Sequence, residues 1–322
     1  MPEPDVATAV LRAYGITDAT VTPLAIHGTT SVSRVVTGHG SELMLKRASA
    51  IGGAEMRLVE QAELTRQLFA CGLPVAVPML TVDGKPVVRM DDVVFTLTSR
   101  LTARAPGLPD RVEIWAGVGG QLATLHAALE QCAATAHGWT MDLPRQLEEE
   151  IWPTLDAVAD VIGPLLPSPA ARGALSGRVA GLPSQRLHGD THGGNILLDG
   201  LGVYGIVDFD EIPIGPRVND VGYYAADLVK NRAHLPGDVV DTIGSVVAGY
   251  HQAGVLTERE ANALVPLMIV TELRFLWWWF HTFDDDRAQL DTHLDTLGWI
   301  VDHRDALDAA VRSATTRSSR RS

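Results

Sequence analysis

Cysteine is almost missing from this chain: there are two in 322 residues, Cys71 and Cys132. They match no metal-binding or redox spacing. With no signal peptide in the sequence, they point to a reduced, cytoplasmic setting. Basic residues are also scarce. Lys and Arg total 26 against 39 Asp and Glu, a net charge of −13. That balance excludes a nucleic-acid partner. It leaves ordinary solubility, or the steering of a cationic substrate. No long uncharged apolar run occurs. The most apolar stretch, 264–280, is interrupted by Glu272 and Arg274, which excludes a membrane span. No internal repeat is visible. What is present is ordinary for a globular protein, with 46% hydrophobic and 20% charged residues and length enough for two packed lobes.

The chain is organised around residues 186–220, which read RLHGDTHGGNILLDGLGVYGIVDFDEIPIGPRVND. His188, Asp190, His192 and Asn195 fall within eight residues. The apolar run Ile196-Leu197-Leu198, a Gly-rich turn and Ile206-Val207 read as two short buried strands of a hairpin. Asp208 and Asp210 follow around Phe209. A carboxylate before the first strand and one after the second are expected to meet at one end of that hairpin. Phosphoryl transfer needs such a meeting. A carboxylate orients and deprotonates the acceptor hydroxyl, and magnesium requires hard oxygen ligands. In kinase catalytic loops the base Asp stands five residues before a metal-binding Asn, and a metal-binding Asp follows a strand pair. Asp190 and Asn195 keep that spacing. Asp190 is therefore the expected base, with Asn195 and Asp208 as Mg2+ ligands. Turn-capping Asp and Asn residues are the bland alternative. A zinc site of His188, Asp190 and His192 is another, but it leaves Asn195 and Asp208 unexplained.

HGDTHGGN followed by IVDFD resembles the aminoglycoside phosphotransferase family, with its choline-kinase-like and homoserine-kinase-like members. The resemblance implies an α+β, protein-kinase-like bilobal fold. Its N-terminal lobe is a five-stranded antiparallel sheet with one main helix, and its larger C-terminal lobe is mainly helical. The expected division is 1–104 for nucleotide binding, 105–313 for catalysis and substrate binding, and 314–322 as a flexible tail. His188 and His192 are then loop anchors, Asp220 braces the backbone around the catalytic loop, and DFD in place of DFG favours the small-molecule branch.

The N-terminal residues fit this frame. A short amphipathic helix (5–14) precedes strands at 21–26, 32–37 and 42–47. The turn with Thr29, Thr30 and Ser31 resembles a phosphate-covering loop, although it has one glycine where the signature has three. Lys46 ends the third strand on the side opposite Leu43 and Leu45, where the family keeps its ATP-binding lysine. A helix at 54–70 should carry the glutamate that orients it. Glu60 is the choice, with Glu55 and Glu63 as rivals. Strands at 87–90 and 93–97 complete the sheet. Ser99-Arg100-Leu101 reads as the interlobe linker whose backbone, at Ser99 and Leu101, meets the adenine edge.

The C-terminal residues read as helices at 112–132, 147–162 and 170–179, with Pro153 kinking or starting one. His126 is expected to be packed or capping. Thr257 reads as a helix N-cap. Trp277, Trp278 and Trp279 are consecutive and cannot share a helix face. Asp284, Asp285 and Asp286 form a solvated turn or an acidic lip for an amine. The expected activity is transfer of the γ-phosphoryl of Mg-ATP, with GTP as alternative nucleotide. The acceptor is a hydroxyl on an antibiotic or small metabolite, a cationic one included. The expected state is monomer or homodimer, with no membrane partner. A kinase-like accessory protein without turnover is the second class.

Overall fold

The structure, a computed structural model, describes residues 4–27, 30–50, 53–104, 107–132, 139–254, 256–282 and 287–316. Thr29 and the Asp284–Asp286 run lie outside them. The chain divides into two compact units. The first is Met1–Ala103 with Cys132–His137 and Tyr204–Asp210; the second is Arg104–Gln131, Gly138–Val203 and Glu211–Ser322. Short later segments thus join the first unit, which a single cut near residue 104 does not convey.

The first unit is built on one sheet. Helix α1 (Pro4–Ala13) precedes strands β1 (Ala19–His27), β2 (Thr30–Thr37) and β3 (Glu42–Ser49). Helix α2 (Ala54–Ala70) follows, then β4 (Val87–Met90) and β5 (Val93–Ser99). The strands run antiparallel in the order β1-β2-β3-β5-β4. Alternation along β3 decides what each face carries. Leu43 and Leu45 point into a core with Val35, Phe95, Leu97, the α1 residues Val10 and Leu11, and Tyr14 just past the end of α1. The opposite face packs Val87 and Val94 against Leu58 of α2. Lys46 follows Leu45 and so leaves the α1 face.

The second unit is mainly helical. Its elements begin with α3 (Val112–Gln131), α4 (Leu143–Gln146), a π-helical turn (Leu147–Ile151), α5 (Trp152–Ala157), α6 (Ala159–Ile162) and α7 (Pro169–Val179). Strands β6 (Ser184–Arg186), β7 (Ile196–Asp199), β8 (Gly202–Ile206) and β9 (Ile214–Pro216) come next. Helices α8 (Val218–Lys230), α9 (Val239–Gly254), α10 (Glu258–Thr282), α11 (Arg287–Asp302) and α12 (Arg304–Thr316) complete it. β6 pairs with β9 and β7 with β8, and the division between the units falls inside β8.

Two expectations are corrected here. The single helix at 147–162 is broken, because the π-helical turn runs into Pro153 near the start of α5 and Val158 leaves helical geometry before α6. The tail does not begin at 314: Ala314 is buried on α12, and the Thr315 and Thr316 hydroxyls bond to the carbonyls of Val311 and Arg312 one turn back.

Helix α10 is long and apolar enough to cross a membrane by composition, yet 72% of its most apolar window is buried inside the protein. It is a core helix. Its Thr257 and Glu260 form a reciprocal cap, with Thr257 N–H donating to Glu260 Oε2 at 2.9 Å and Glu260 N–H to Thr257 Oγ1 at 3.2 Å. Arg217 grips the same carboxylate bidentately, at 2.6 and 2.9 Å. The tryptophans separate as helix geometry requires: Trp279 is buried, Trp277 half-buried and Trp278 exposed. α3 and α9 cross closely through glycines. A Cβ at Gly119 would overlap the Val246 carbonyl, and one at Gly249 the Ala116 carbonyl.

Candidate active site

In the first unit, Lys46 is the centre of a charged cluster. Its Nζ donates to Asp208 Oδ1 at 2.8 Å and to Asp210 Oδ2, and Gln61 Nε2 of α2 donates to Asp210 Oδ1 at 2.8 Å. Burial alone would lower the lysine pKa; the two carboxylates overcome it, so the ammonium is held above its usual range. Burial raises the Asp210 carboxyl. Asp208 takes a left-handed backbone conformation (φ 64°), which Asp tolerates better than bulkier residues. Its side chain is 45% exposed.

The ion-pair partners of Lys46 are thus aspartates, and the expected pairing with Glu60 is corrected. The rivals are engaged elsewhere, Glu55 with Arg89 and Glu63 with Gln67. One residue past Glu60, Gln61 is what α2 supplies to the cluster. Sequence reasoning passed over it because it is uncharged.

The nucleotide-loop residues of this unit are placed as follows. Thr30 is half-buried at the start of β2. Ser31, 8% exposed, keeps its Oγ without a hydrogen-bond partner among the described residues. Ser99 is committed to the sheet edge: its Oγ accepts from Val77 N–H at 3.2 Å, and its own N–H donates to Val77 O at 3.1 Å. Arg100 N–H donates to Glu42 O. Leu101, half-buried, follows.

In the second unit the loop 188–195 is pinned from below by one carboxylate. Asp220, fully buried at the start of α8, accepts from His188 N–H at 2.9 Å and Gly189 N–H at 3.0 Å. Its backbone carbonyl accepts the Thr191 hydroxyl at 2.6 Å. His126 of α3 lies 3.0 Å from Asp220 through Nε2 and 2.7 Å from the Tyr250 hydroxyl of α9 through Nδ1. The bracing role read for Asp220 and the packed role read for His126 are both seen. Gly189 is required at its place: φ is 86°, and a Cβ there would overlap Pro213.

Asp190 rides on this loop. Tyr223 of α8 donates to its Oδ1 at 2.6 Å, and Asn195 Nδ2 donates to its Oδ2 at 2.8 Å and to its carbonyl at 2.9 Å. His192 Nε2 lies 3.5 Å from Oδ2. Burial pushes this carboxyl up, but the bonds from His192 and Tyr223 prevail and hold it at about 2. Burial lowers the pKa of His192 and Asp190 raises it, with a net rise. Gly194 N–H uses His192 Nδ1 as an acceptor at 3.0 Å, which favours a ring proton on Nε2, facing Asp190. Asp227 completes the support, accepting Gly193 N–H at 2.7 Å and pairing with Lys230 at 2.7 Å.

Tyr223 and Asp227 were missed in the sequence, although a signal existed. Asp220, Tyr223, Asp227 and Lys230 recur at three- and four-residue steps in the otherwise apolar VNDVGYYAADLVK, a polar stripe on one helix face.

Asn195 donates through Nδ2 to Asp190, which turns its amide oxygen away from that pair. In the first unit, Asp208 is an exposed carboxylate. Among the described residues no three His, Cys, Asp or Glu side chains form a self-sufficient metal cage. That disfavours zinc at His188, Asp190 and His192. It is compatible with magnesium, which takes one or two protein oxygens and completes its shell with phosphates and water.

The model of the phosphotransferase enzyme family matches residues 20–256. A homoserine kinase of Zymomonas mobilis is 31% identical over 109 residues, 32% of this chain and 33% of that protein, so the match spans about a third of that relative's length. Among solved structures, an amicoumacin kinase in complex with AMP-PNP, Ca2+ and Ami has a TM-score of 0.69 at 16% identity, covering 88% of each chain. An aminoglycoside phosphotransferase from Alicyclobacillus acidocaldarius has a TM-score of 0.69 at 17% identity, covering 98% of each. A microcompartment-associated aminopropanol kinase has a TM-score of 0.65 at 15% identity, covering 98% of this chain and 99% of that one. At these identities the likeness is one of fold: α+β and kinase-like, with a five-stranded antiparallel sheet in the N-terminal part and helices in the C-terminal part.

Proposed function

Because the chain belongs to the phosphotransferase enzyme family, we propose that it is a small-molecule kinase, moving the γ-phosphoryl of Mg-ATP to an acceptor hydroxyl. The observation that carries this reading is the carboxylate of Asp190, held anionic at about 2 by Tyr223 and His192 and fixed by Asn195 on a braced loop. A carboxylate that acidic is a poor base toward a free alcohol. It orients the hydroxyl and accepts its proton as the oxygen bonds to phosphorus, which is what a loose phosphoryl-transfer transition state requires.

Lys46 is the phosphate-binding cation in this reading. An incoming triphosphate substitutes for the carboxylates that now hold it. Asn195 and Asp208 are the magnesium ligands; the bound ion would neutralise charge on the phosphates during transfer. Thr30 and Ser31 offer hydroxyl and backbone donors to phosphate oxygens, with the unpartnered Ser31 Oγ in support. For the adenine edge, Leu101 is the better placed of the two linker residues, since the Ser99 amide is engaged with Val77. GTP is the alternative nucleotide. Candidate acceptors are aminoglycosides, other hydroxylated antibiotics, amino alcohols and homoserine. A chain with two cysteines in 322 residues fits work in the reducing cytoplasm.

The test is transfer of labelled γ-phosphate from Mg-ATP and Mg-GTP to a panel of these acceptors, with Asp190→Asn as control. Product from wild type and none from the variant is expected. Equal turnover by the variant would remove Asp190 from its role.

A further inference from the structure

Two supports of the Asp190 loop converge on one ring. Tyr223, which donates to Asp190 Oδ1 at 2.6 Å, meets Phe275 of α10 edge to face, at 5.5 Å and 72°. Lys230, two turns further along α8, pairs with Asp227 at 2.7 Å and lies over the Phe275 ring at 5.9 Å. Asp227 in turn accepts Gly193 N–H at 2.7 Å. Phe275 thus touches two side chains of α8 whose bonds lead to the loop, one toward Asp190 and one toward Gly193.

Phe275 is itself held by a residue with no task in the scheme above. His293 of α11 stacks on it, with ring centroids 4.6 Å apart and planes 18° apart. The same imidazole meets Glu272 Oε2 through Nδ1 at 2.7 Å. Glu272 and Phe275 stand three residues apart on α10, where side chains are neighbours, so together they grip one ring. The pair is deep in the protein, with Glu272 1% and His293 4% exposed. Burying two polar groups is unfavourable until each is satisfied, and a leucine at 293 would fill similar space without that penalty. What the pair supplies is orientation: the bond to Glu272 keeps the imidazole in place, and the imidazole keeps Phe275 in place.

We propose that His293 is a positioning residue for phosphoryl transfer: it holds Phe275 against Tyr223 and so aims the Tyr223 hydroxyl at Asp190. Transfer is sensitive to small displacements of the groups that orient the acceptor, and a hydroxyl backed by a packed ring fixes Asp190 more narrowly than the loop backbone alone. His293 acts through Phe275 and Tyr223. The inference rests on the kinase reading and adds to it a device on α11, about a hundred residues from Asp190 along the chain.

Two variants separate positioning from packing. His293→Leu removes both the ring and the bond to Glu272; His293→Phe removes the bond and keeps a ring. Both leave Glu272 buried without that partner, so both should lower the denaturation midpoint to a similar extent. With an acceptor that gives product in the panel above, His293→Leu should lower kcat by about 2- to 10-fold, the size of one aromatic contact, with KM for Mg-ATP unchanged. His293→Phe should recover most of that loss. In the Tyr223→Phe background the loss from His293→Leu should vanish, because the hydroxyl through which His293 acts is gone. A readout apart from turnover is the Cζ resonance of Tyr223 in protein carrying isotope-labelled tyrosine, assigned by its disappearance in Tyr223→Phe. It should shift in His293→Leu and stay near its wild-type position in His293→Phe. Equal kcat in the two His293 variants, an undiminished loss in the double variant, or an unmoved Tyr223 resonance in His293→Leu would each overturn the inference and leave the kinase standing. No product together with no Mg-ATP binding in wild type would instead sink the kinase reading. Wherever wild type gives no product, the Tyr223 resonance alone decides whether His293 aims that hydroxyl.

Discussion

Around Lys46, charge is held by charge; around Asp190, it is held by a hydroxyl and an amide with His192 beside them. The first cluster is one ammonium between two carboxylates, with 45% and 41% of their side chains exposed. Pairs of this kind are weak in water and exchange readily for another anion or cation. The second is a carboxylate gripped by a tyrosine hydroxyl and an amide, on a loop whose backbone amides end on a fully buried aspartate. Such a network is costly to disturb in any one member. The difference separates a place meant to trade partners from a place meant to stay still.

The largest effect should come from Asp190→Asn. Turnover should fall by about 10²- to 10⁴-fold while Mg-ATP affinity, measured by calorimetry, stays close to wild type. Equal losses of both would mean that the second cluster also binds nucleotide. The matching break in the first cluster is Asp208→Ala, or chelation of magnesium by EDTA. Either should abolish metal-dependent nucleotide binding, and binding that persists would rule out the ligand role.

Next in size is Asp220→Asn. It removes a buried carboxylate that serves two amides and His126, and should cost about 2–3 kcal/mol, read as a lowered denaturation midpoint together with lost turnover. A fully stable variant would show the loop to be held by other means. Lys46→Ala should lower kcat/KM for ATP by about 10- to 100-fold with little loss of stability, since its present partners can rehydrate. A large loss of stability would erase the contrast between the clusters.

Tyr223→Phe is smaller and sharper. A donor to the ionised form is removed, so the pKa of Asp190 should rise from about 2. The sign for stability follows. A carboxylate with a lowered folded pKa contributes stability above its unfolded value, and that contribution is lost as pH falls toward 2. In the variant the contribution should be smaller and its loss complete at a higher pH, and the acid limb of the rate profile should move up in pH. An unmoved limb would assign the low pKa to His192 alone. Smallest of all is Glu60→Gln, which should leave ATP kinetics unchanged, while Gln61→Ala, by releasing Asp210, should raise KM for ATP a few-fold. The reverse ranking would restore Glu60.

The second cluster was the more legible of the two in the sequence, for a physical reason. Asp190 and Asn195 are tied through a local backbone turn, so spacing along the chain carries their geometry. Lys46 meets Asp208 and Asp210 across more than 160 residues, and strand alternation could give its face but not its partner. Helix periodicity located α2 but could not rank three glutamates, and drew attention away from Gln61 because a neutral amide carries no charge signal. The five strands were readable from their alternation and turns. The broken helix at 147–162 was not, since a π-helical turn needs no residue that differs from an α-helical one.

The glycine crossing of α3 and α9 reaches further than its packing. Those two helices carry His126 and Tyr250, and through them the depth at which Asp220 sits is set. A single methyl at Gly249 must lift one helix off the other, and the lift would arrive at the loop under Asp190 as a change of height. Positions well removed from the chemistry thus work as its levelling screws, where the smallest possible side-chain addition would detune the enzyme before it unfolds it.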